Sequence, residues 1–273
     1  MTSVKPLTFT LKEELAFPVD MRILKKIVDS RMSTKKVEQV LMSSRPDALR
    51  IGDIFKVSGK DHQNIVIENS NAKLEGIGTG WRRGTIHVIG NAGSFTAQSL
   101  RGGYVHVEGS VGDFSGCGIN GGQLVVDADA GNGLGASLPG EKIGMNGGWI
   151  VIKGNAGSRL GNRMRRGVIA VYGDVGIGAC SSMISGTALL LGGQVNLPGT
   201  HMRRGTIICA AEPNLSANSF FEQVCKDSTY WKIFCSYMEG RNDRINHTLL
   251  SRPPRKRFVG DLNIYGMGEI IVI

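Results

Sequence analysis

WRRGTIHVIGNAG (81–93), LRGGYVHVEGSVG (100–112), MNGGWIVIKGNAG (145–157) and MRRGVIAVYGDVG (164–176) are copies of one pattern: apolar-x-x-Gly, a short alternating stretch, then Gly-x-Ala/Val-Gly and a polar turn. The units start at Trp81, Leu100, Ile119, Met145, Met164, Met183 and Met202, and the spacing is 19 throughout except for seven extra residues, ASLPGEK or thereabouts, between Ile119 and Met145. Counted from the first apolar residue, positions 6 and 8 are Ile86/Val88, Val105/Val107, Leu124/Val126, Ile150/Ile152, Ile169/Val171, Ala188/Leu190 and Ile207/Cys209. In an extended chain these two positions share a face, and so many apolar residues place that face inside. Position 1 adds a second inward column.

Nineteen residues are too few for a strand and a full crossover helix, so each unit reads as short strands and Gly-cornered turns. The expected fold is therefore all-β: a right-handed parallel β-helix of about eight 19-residue coils, stacked ~4.8 Å apart, its hand set by the usual crossover rule. The position-4 glycines, from Gly84 to Gly205, mark bends of positive φ or close approach between coils.

Outward from the repeats, the chain divides into three. Residues 1–60 read as an N-terminal extension: LTFTL as a strand, Ile23, Leu24, Ile27 and Val28 at helical spacing, and a short helix from Ser33 using Val37, Val40 and Leu41. Residues 61–211 carry the repeats, beginning with a degenerate unit around HQNIVIENSNAKLEGIGTG. Residues 212–273 read as a helical cap and a returning strand: Ser219 with Glu222 suggests a capping box, Phe220, Phe221, Val224, Trp231, Phe234, Cys235 and Met238 recur at helical intervals, and GDLNIYGMGEIIVI closes the chain.

Composition narrows the function. The 39 glycines are not in every third position, which excludes collagen. The charged opening MTSVKPLTFTLKEE lacks an apolar leader, and no stretch of ~18 apolar residues occurs, so the expectation is a cytoplasmic protein without a membrane association. Five cysteines, with neither C-x-x-C nor zinc-ligand spacing, read as reduced thiols. A net charge of +9 raises nucleic-acid binding, but interleaved aromatics and a recognisable binding motif are missing. An acidic protein partner or a polyanionic ligand fits better.

With positions 6 and 8 inside, positions 5, 7 and 9 face out. Early units are largely polar there (Thr85, His87, Ile89, Tyr104, His106, Glu108), whereas later ones present Trp149, Val151, Val168, Tyr172, Leu189, Leu191 and Ile208. Such an apolar face needs a cover: either the chain's own terminal segment or another subunit. It is the candidate partner interface. Position 2 carries Arg82, Arg101, Arg165 and Arg203, and position 3 carries Arg83, Arg166 and Arg204. Stacked, Arg82, Arg101, Arg165, Arg166, Arg203 and Arg204 would form a guanidinium ladder for carboxylates or phosphates; alternatively they are solvated turn residues. His87 and His106, one period apart, lack further ligands for a metal. The acids Asp113, Asp127, Asp129, Asp174 and Glu108 read as solvated turn and outer-strand residues. Neither a P-loop nor a catalytic triad is present, so no catalytic residue and no metal site is assigned.

Taken together, the GNAG-type units with MRRG and MNGG starts, the interruption LPGEKIGMNGG, the unit PGTHMRRGTI and the ending RFVGDLNIYGMGEI resemble the C-type subunit of formylmethanofuran dehydrogenase. The resemblance is nearer still to the C-type subunit of the bacterial formyltransferase/hydrolase complex, and it covers nearly the whole chain. A Gly-rich repeat of this kind also ends the large subunit of glutamate synthase, so the insertion and the tail favour the C-type subunit. The resemblance implies a non-catalytic scaffold beside amidohydrolase-like, formyltransferase and B-type subunits. Those subunits would hold the metal ions and pass formyl groups between tetrahydromethanopterin and a methanofuran-type carrier, whose glutamate-rich tail suits the arginine ladder. Two alternatives stand: the C-type subunit of a redox-active formylmethanofuran dehydrogenase, and a stand-alone module binding a polyanion.

Overall fold

The computed structural model describes residues 4–43, 48–224, 229–239 and 253–273. Its order is β1 (Pro6–Leu11), β2 (Val19–Asp20), α1 (Ile23–Asp29), α2 (Thr34–Glu38), α3 (Ile51–Ile54), β3 (Phe55–Ser58), β4 (Asp61–Ser70) and β5 (Leu74–Glu75). The repeats then supply β6 (Thr85–Gly90), β7 (Arg101–Val107), β8 (Gly121–Val126), β9 (Asn146–Ile152), β10 (Arg166–Val171), β11 (Thr187–Leu190) and β12 (Thr206–Cys209). The chain ends with β13 (Phe220–Gln223), α4 (Thr229–Glu239), β14 (Lys256–Gly260), a 3-10 turn at Leu262–Ile264 and β15 (Gly268–Val272).

Thirteen of these strands form one mixed, mostly parallel sheet in the order β13-β14-β15-β12-β11-β10-β9-β8-β7-β6-β4-β1-β3, and β2 pairs with β5 in a small second sheet. This corrects the expected right-handed parallel β-helix. The reason lies in the return between strands. Positions 15, 17 and 19 of the repeat take left-handed backbone again and again, as at Phe95 (φ 61°), Ala97 (57°) and Ser99 (52°), and at Arg159 (57°) and Arg163 (56°). A segment that alternates into the left-handed region cannot extend, so it closes as consecutive turns. Just before it, position 12 of successive repeats pairs only through single-residue bridges, Ala92 to Val111 to Ala130 to Ala156 to Val175.

Within the sheet the 19-residue period sets the register: Thr85 faces Tyr104 and His87 faces His106, while Val168 faces Thr187 and Ala170 faces Leu189. The insertion falls between β8 and β9 and leaves the pairing in step, with Gln123 opposite Trp149. Ile86, Val88, Val105, Val107, Leu124, Val126, Ile150, Ile152, Ile169, Val171, Ala188, Leu190, Ile207 and Cys209 are fully buried, as are the position-1 residues Leu100, Ile119, Met145, Met164, Met183 and Met202. Transfer of the Val, Leu, Ile and Met side chains among them from water contributes about 1.5–3 kcal/mol each.

Both ends of the parallel run are closed by antiparallel strands. β3 lies beside β1 with Phe9 opposite Val57, and the Phe9 and Phe55 rings meet edge to face at 6.0 Å. Nearby, α1 buries Leu24 and Ile27 and α2, starting after Ser33, buries Val37. At the other end β15 joins β12 in parallel and turns back as β14, with β13 outside it. The capping-box reading of Ser219 and Glu222 is corrected here: Phe220–Gln223 is strand, paired Phe220 to Gly260 and Glu222 to Phe258. No helix among the described residues is long and apolar enough to cross a membrane.

Candidate functional site

The outward face of the sheet splits into two halves whose chemistry follows the sequence. On β6 to β8 it is largely polar. The His87 and His106 imidazoles stack at 5.0 Å and 3°, a consequence of equivalent residues lying on adjacent parallel strands. Each finds a carboxylate one strand further on: His87 Nε2 lies 2.8 Å from Glu108 Oε1 and His106 Nε2 lies 3.0 Å from Asp127 Oδ2. Lys153 closes the run at 2.5 Å from Asp127 Oδ1. Burial pushes the Asp127 carboxyl up, but hydrogen bonds from Lys153 and His106 outweigh it and hold the group below its ordinary range. Among the described residues no three His, Cys, Asp or Glu side chains are grouped to hold a metal.

On β9 to β12 the same face is apolar, and the chain covers it. Trp149, Val168, Ala170, Leu189, Leu191 and Ile208 pack with Trp231 and Phe234 of α4 and with Ile271 and Ile273 at the C-terminus, with Tyr172 against the edge. Val151 is also buried. Most of the residues singled out as a partner interface thus lie beneath the chain's own last helix, and Ile271 of β15, beside Ile208 in the sheet, extends the same face. The helical spacing of Trp231, Phe234 and Cys235 was the signal for this cover.

The arginines emerge at the strand starts. Arg82, Arg101, Arg165, Arg166, Arg203 and Arg204 are exposed, and none forms an ion pair among the described residues. They do not make one unbroken ladder. Asn120 and Asn146 stand at position 2 of the two middle units, Gly121 and Gly147 at position 3, and Ile184 and Ser185 interrupt again before Arg203. The structure therefore sets three basic clusters along one line: Arg82, Arg83 and Arg101; Arg165 and Arg166; Arg203 and Arg204.

An open groove of about 830 Å³ runs from Gly103 and Tyr104 across the second cluster to Gly186 and Thr187, lined on the way by Gly121, Gly122, Gly147, Gly148, Gln123, Trp149, Arg165 and Arg166. The glycines are required by close approach. A Cβ on Gly147 would run into the Asn120 carbonyl oxygen, and one on Gly122 would sit 2.7 Å from that of Gly103. Gln123 Nε2 is buried without a hydrogen-bond partner among the described residues, and the exposed donors at the groove are the guanidinium groups of Arg165 and Arg166. The Gly-Gly doublets at 102–103, 121–122 and 147–148 were visible in the sequence, but only the position-4 member carried weight there.

A second cavity of about 660 Å³ forms where the insertion, with Leu138, Pro139 and Glu141, leans over Phe114, Arg159 and Arg163. The Glu141 carbonyl accepts from Arg163 at 3.1 Å. The turn acids tie each repeat to the next. Asp113 Oδ1 accepts the Asn132 N–H, Asp129 Oδ1 the Asn155 N–H and Asp174 Oδ1 the Gly193 N–H. Cys117 and Cys180 are buried, and burial pushes both thiols up to about 12, the wrong direction for a nucleophile.

No protein-family model and no curated protein matches the sequence. Among solved structures, one chain of the formyltransferase/hydrolase complex (FhcABCD) from Methylorubrum extorquens, determined by X-ray crystallography in complex with methylofuran, is similar from end to end. It aligns with a TM-score of 0.87 and 32% sequence identity, over 97% of this chain and 98% of that one.

Proposed function

This chain belongs to the family of a subunit of the formyltransferase/hydrolase complex, and on that premise we propose that it is the C-type subunit of such a complex, a non-catalytic scaffold. In this reading it joins amidohydrolase-like, formyltransferase and B-type subunits that handle formyl groups between tetrahydromethanopterin and a methanofuran-type carrier in one-carbon metabolism. The observation that carries the reading is the end-to-end likeness at 32% identity, with 97% and 98% of the two chains covered. A likeness of that extent leaves little of either chain to serve a different architecture. The long sheet supports it further, since a rigid element several strands long holds partners at fixed separation.

Within the same reading, the exposed arginines take the acidic tail of the carrier. Arg165 and Arg166 border the open groove, and Arg203 and Arg204 continue the line. Guanidinium groups without carboxylate partners among the described residues remain available for bidentate hydrogen bonds.

The test is purification of the tagged full chain from its own cells. The reading predicts stoichiometric recovery with formyltransferase and hydrolase subunits; recovery of the chain without them overturns it. In the intact complex, replacing Arg165, Arg166, Arg203 and Arg204 by Gln should weaken carrier retention, and unchanged retention removes the ladder from the account. Recovery with redox-active, iron–sulfur subunits would move the assignment to a formylmethanofuran dehydrogenase.

A further inference from the structure

The loop between β14 and β15 spends rigidity on displaying apolar side chains. Leu262 is 49% exposed, Tyr265 96% and Met267 76%. Single exposed apolar residues are ordinary on a protein surface, but these three lie within six residues of one another on a fixed support. The Asp261 side chain, fully buried, accepts the His201 N–H through Oδ2 at 2.8 Å and the Asn263 N–H through Oδ1 at 2.9 Å. The Leu262 N–H donates to the Ser219 carbonyl at 2.8 Å and the Met267 N–H to the Arg203 carbonyl at 2.7 Å. Tyr265 itself is held at φ 53°, a left-handed conformation that costs a non-glycine residue about 1 kcal/mol. The buried Asp261 carboxylate and these backbone bonds hold the loop in one conformation.

Charge specifies what meets it. The Met267 hydrogen bond brings the loop against the segment carrying Arg203 and Arg204, both exposed. The nearby carboxylates are already engaged: Asp261 inside the loop, and Glu269 by Arg257 at 2.9 Å. Tyr, Met and Arg are the residue types enriched in protein interfaces, and a pre-ordered loop avoids the entropy of ordering on contact. A second copy of this chain would oppose arginine to arginine in a molecule of net charge +9, which costs affinity.

We propose that Leu262, Tyr265 and Met267, flanked by Arg203 and Arg204, form a preformed knob that inserts into an apolar socket rimmed by Asp and Glu on a different subunit of the complex. The knob rests on the reading of this chain as a subunit of the formyltransferase/hydrolase complex.

Placing p-benzoylphenylalanine at position 265 in the full chain, within the purified native complex, reads the contact directly. Irradiation should cross-link it to an acidic segment of one other subunit; a cross-link to a second copy of this chain, or to no subunit, overturns the proposal. A Tyr265→Ser/Met267→Ser double variant loses only exposed side chains, so its circular dichroism should match the parent while its dissociation from that subunit becomes at least about tenfold faster. Unchanged dissociation overturns the knob. If the unmodified chain purifies without formyltransferase and hydrolase subunits, the subunit reading fails and takes the knob with it. If it purifies with them and Tyr265 cross-links to none, the knob alone fails.

Discussion

An alanine at Gly148 and an alanine at Gly140 impose the same backbone demand but different steric ones. Gly148 has φ +75°, and a Cβ there lies 2.7 Å from the Gly122 carbonyl oxygen, 2.9 Å from Ile119 Cγ2 and 3.0 Å from the Gly121 carbonyl carbon. Gly140, in the insertion, has φ +84° with nothing within 4 Å of its Cβ. Left-handed backbone costs an alanine about 1 kcal/mol at either site. At Gly148 the obstacles include backbone of the adjacent strand, which no rotamer change moves, and forcing them apart adds about 1–3 kcal/mol. Gly140→Ala should therefore lose about 1 kcal/mol and Gly148→Ala about 2–4. At roughly 2–4 °C per kcal/mol for a chain of this size, the two unfolding midpoints should differ by about 2–12 °C. Scanning calorimetry of both variants measures this. Equal depressions of Tm would refute the claim that close contact between repeats, in addition to turn geometry, fixes glycine at position 4.

Other perturbations probe other layers. Trp231→Ala should cost about 3–5 kcal/mol, chiefly by loosening α4, and should raise binding of a hydrophobic dye as Trp149, Val168 and Leu189 are uncovered; unchanged dye binding would show that the helix is not their cover. In the native chain Cys117 and Cys180 should resist iodoacetamide at a pH of about 8 and react only on unfolding, because burial holds both thiols up at about 12; rapid native labelling counts against that burial. Asp127→Asn removes a carboxylate held below its ordinary range. Such a group contributes stability above its unfolded value of ~3.9 and loses it as pH falls through the lower folded value. The variant should thus be less stable near neutral pH, by under about 1 kcal/mol for so exposed a cluster, and the gap should close in acid. Denaturant titrations across pH check the sign.

Side-chain alternation was the most readable level of this chain. Ile86/Val88 through Ile207/Cys209 declared the inward face because strand periodicity leaves them nowhere else to go, and the 19-residue spacing carried the parallel register from β6 to β12. The architecture around those strands was not readable in the same way. Phe95, Phe114, Arg159 and Leu197 take left-handed backbone although nothing in their side chains announces it, so the returns between strands became turns where a β-helix had been expected. The antiparallel closures β3 and β13 depend on partners distant in sequence, which outweighed the local helical pattern of Phe220 and Phe221. Arg165 and Arg166 stood out by period alone, but their place beside a groove depended on the glycine doublets of other repeats. Leu262, Tyr265 and Met267 read as part of a closing strand, and their exposure became visible only with Asp261 and Ser219 in position.

Native mass spectrometry of the tagged full chain, purified from its own cells, decides whether the protein is a subunit of such a complex. One assembly containing this chain together with formyltransferase and hydrolase subunits in fixed stoichiometry is the expected result, whereas the chain recovered alone, or with unrelated partners, rules the subunit role out.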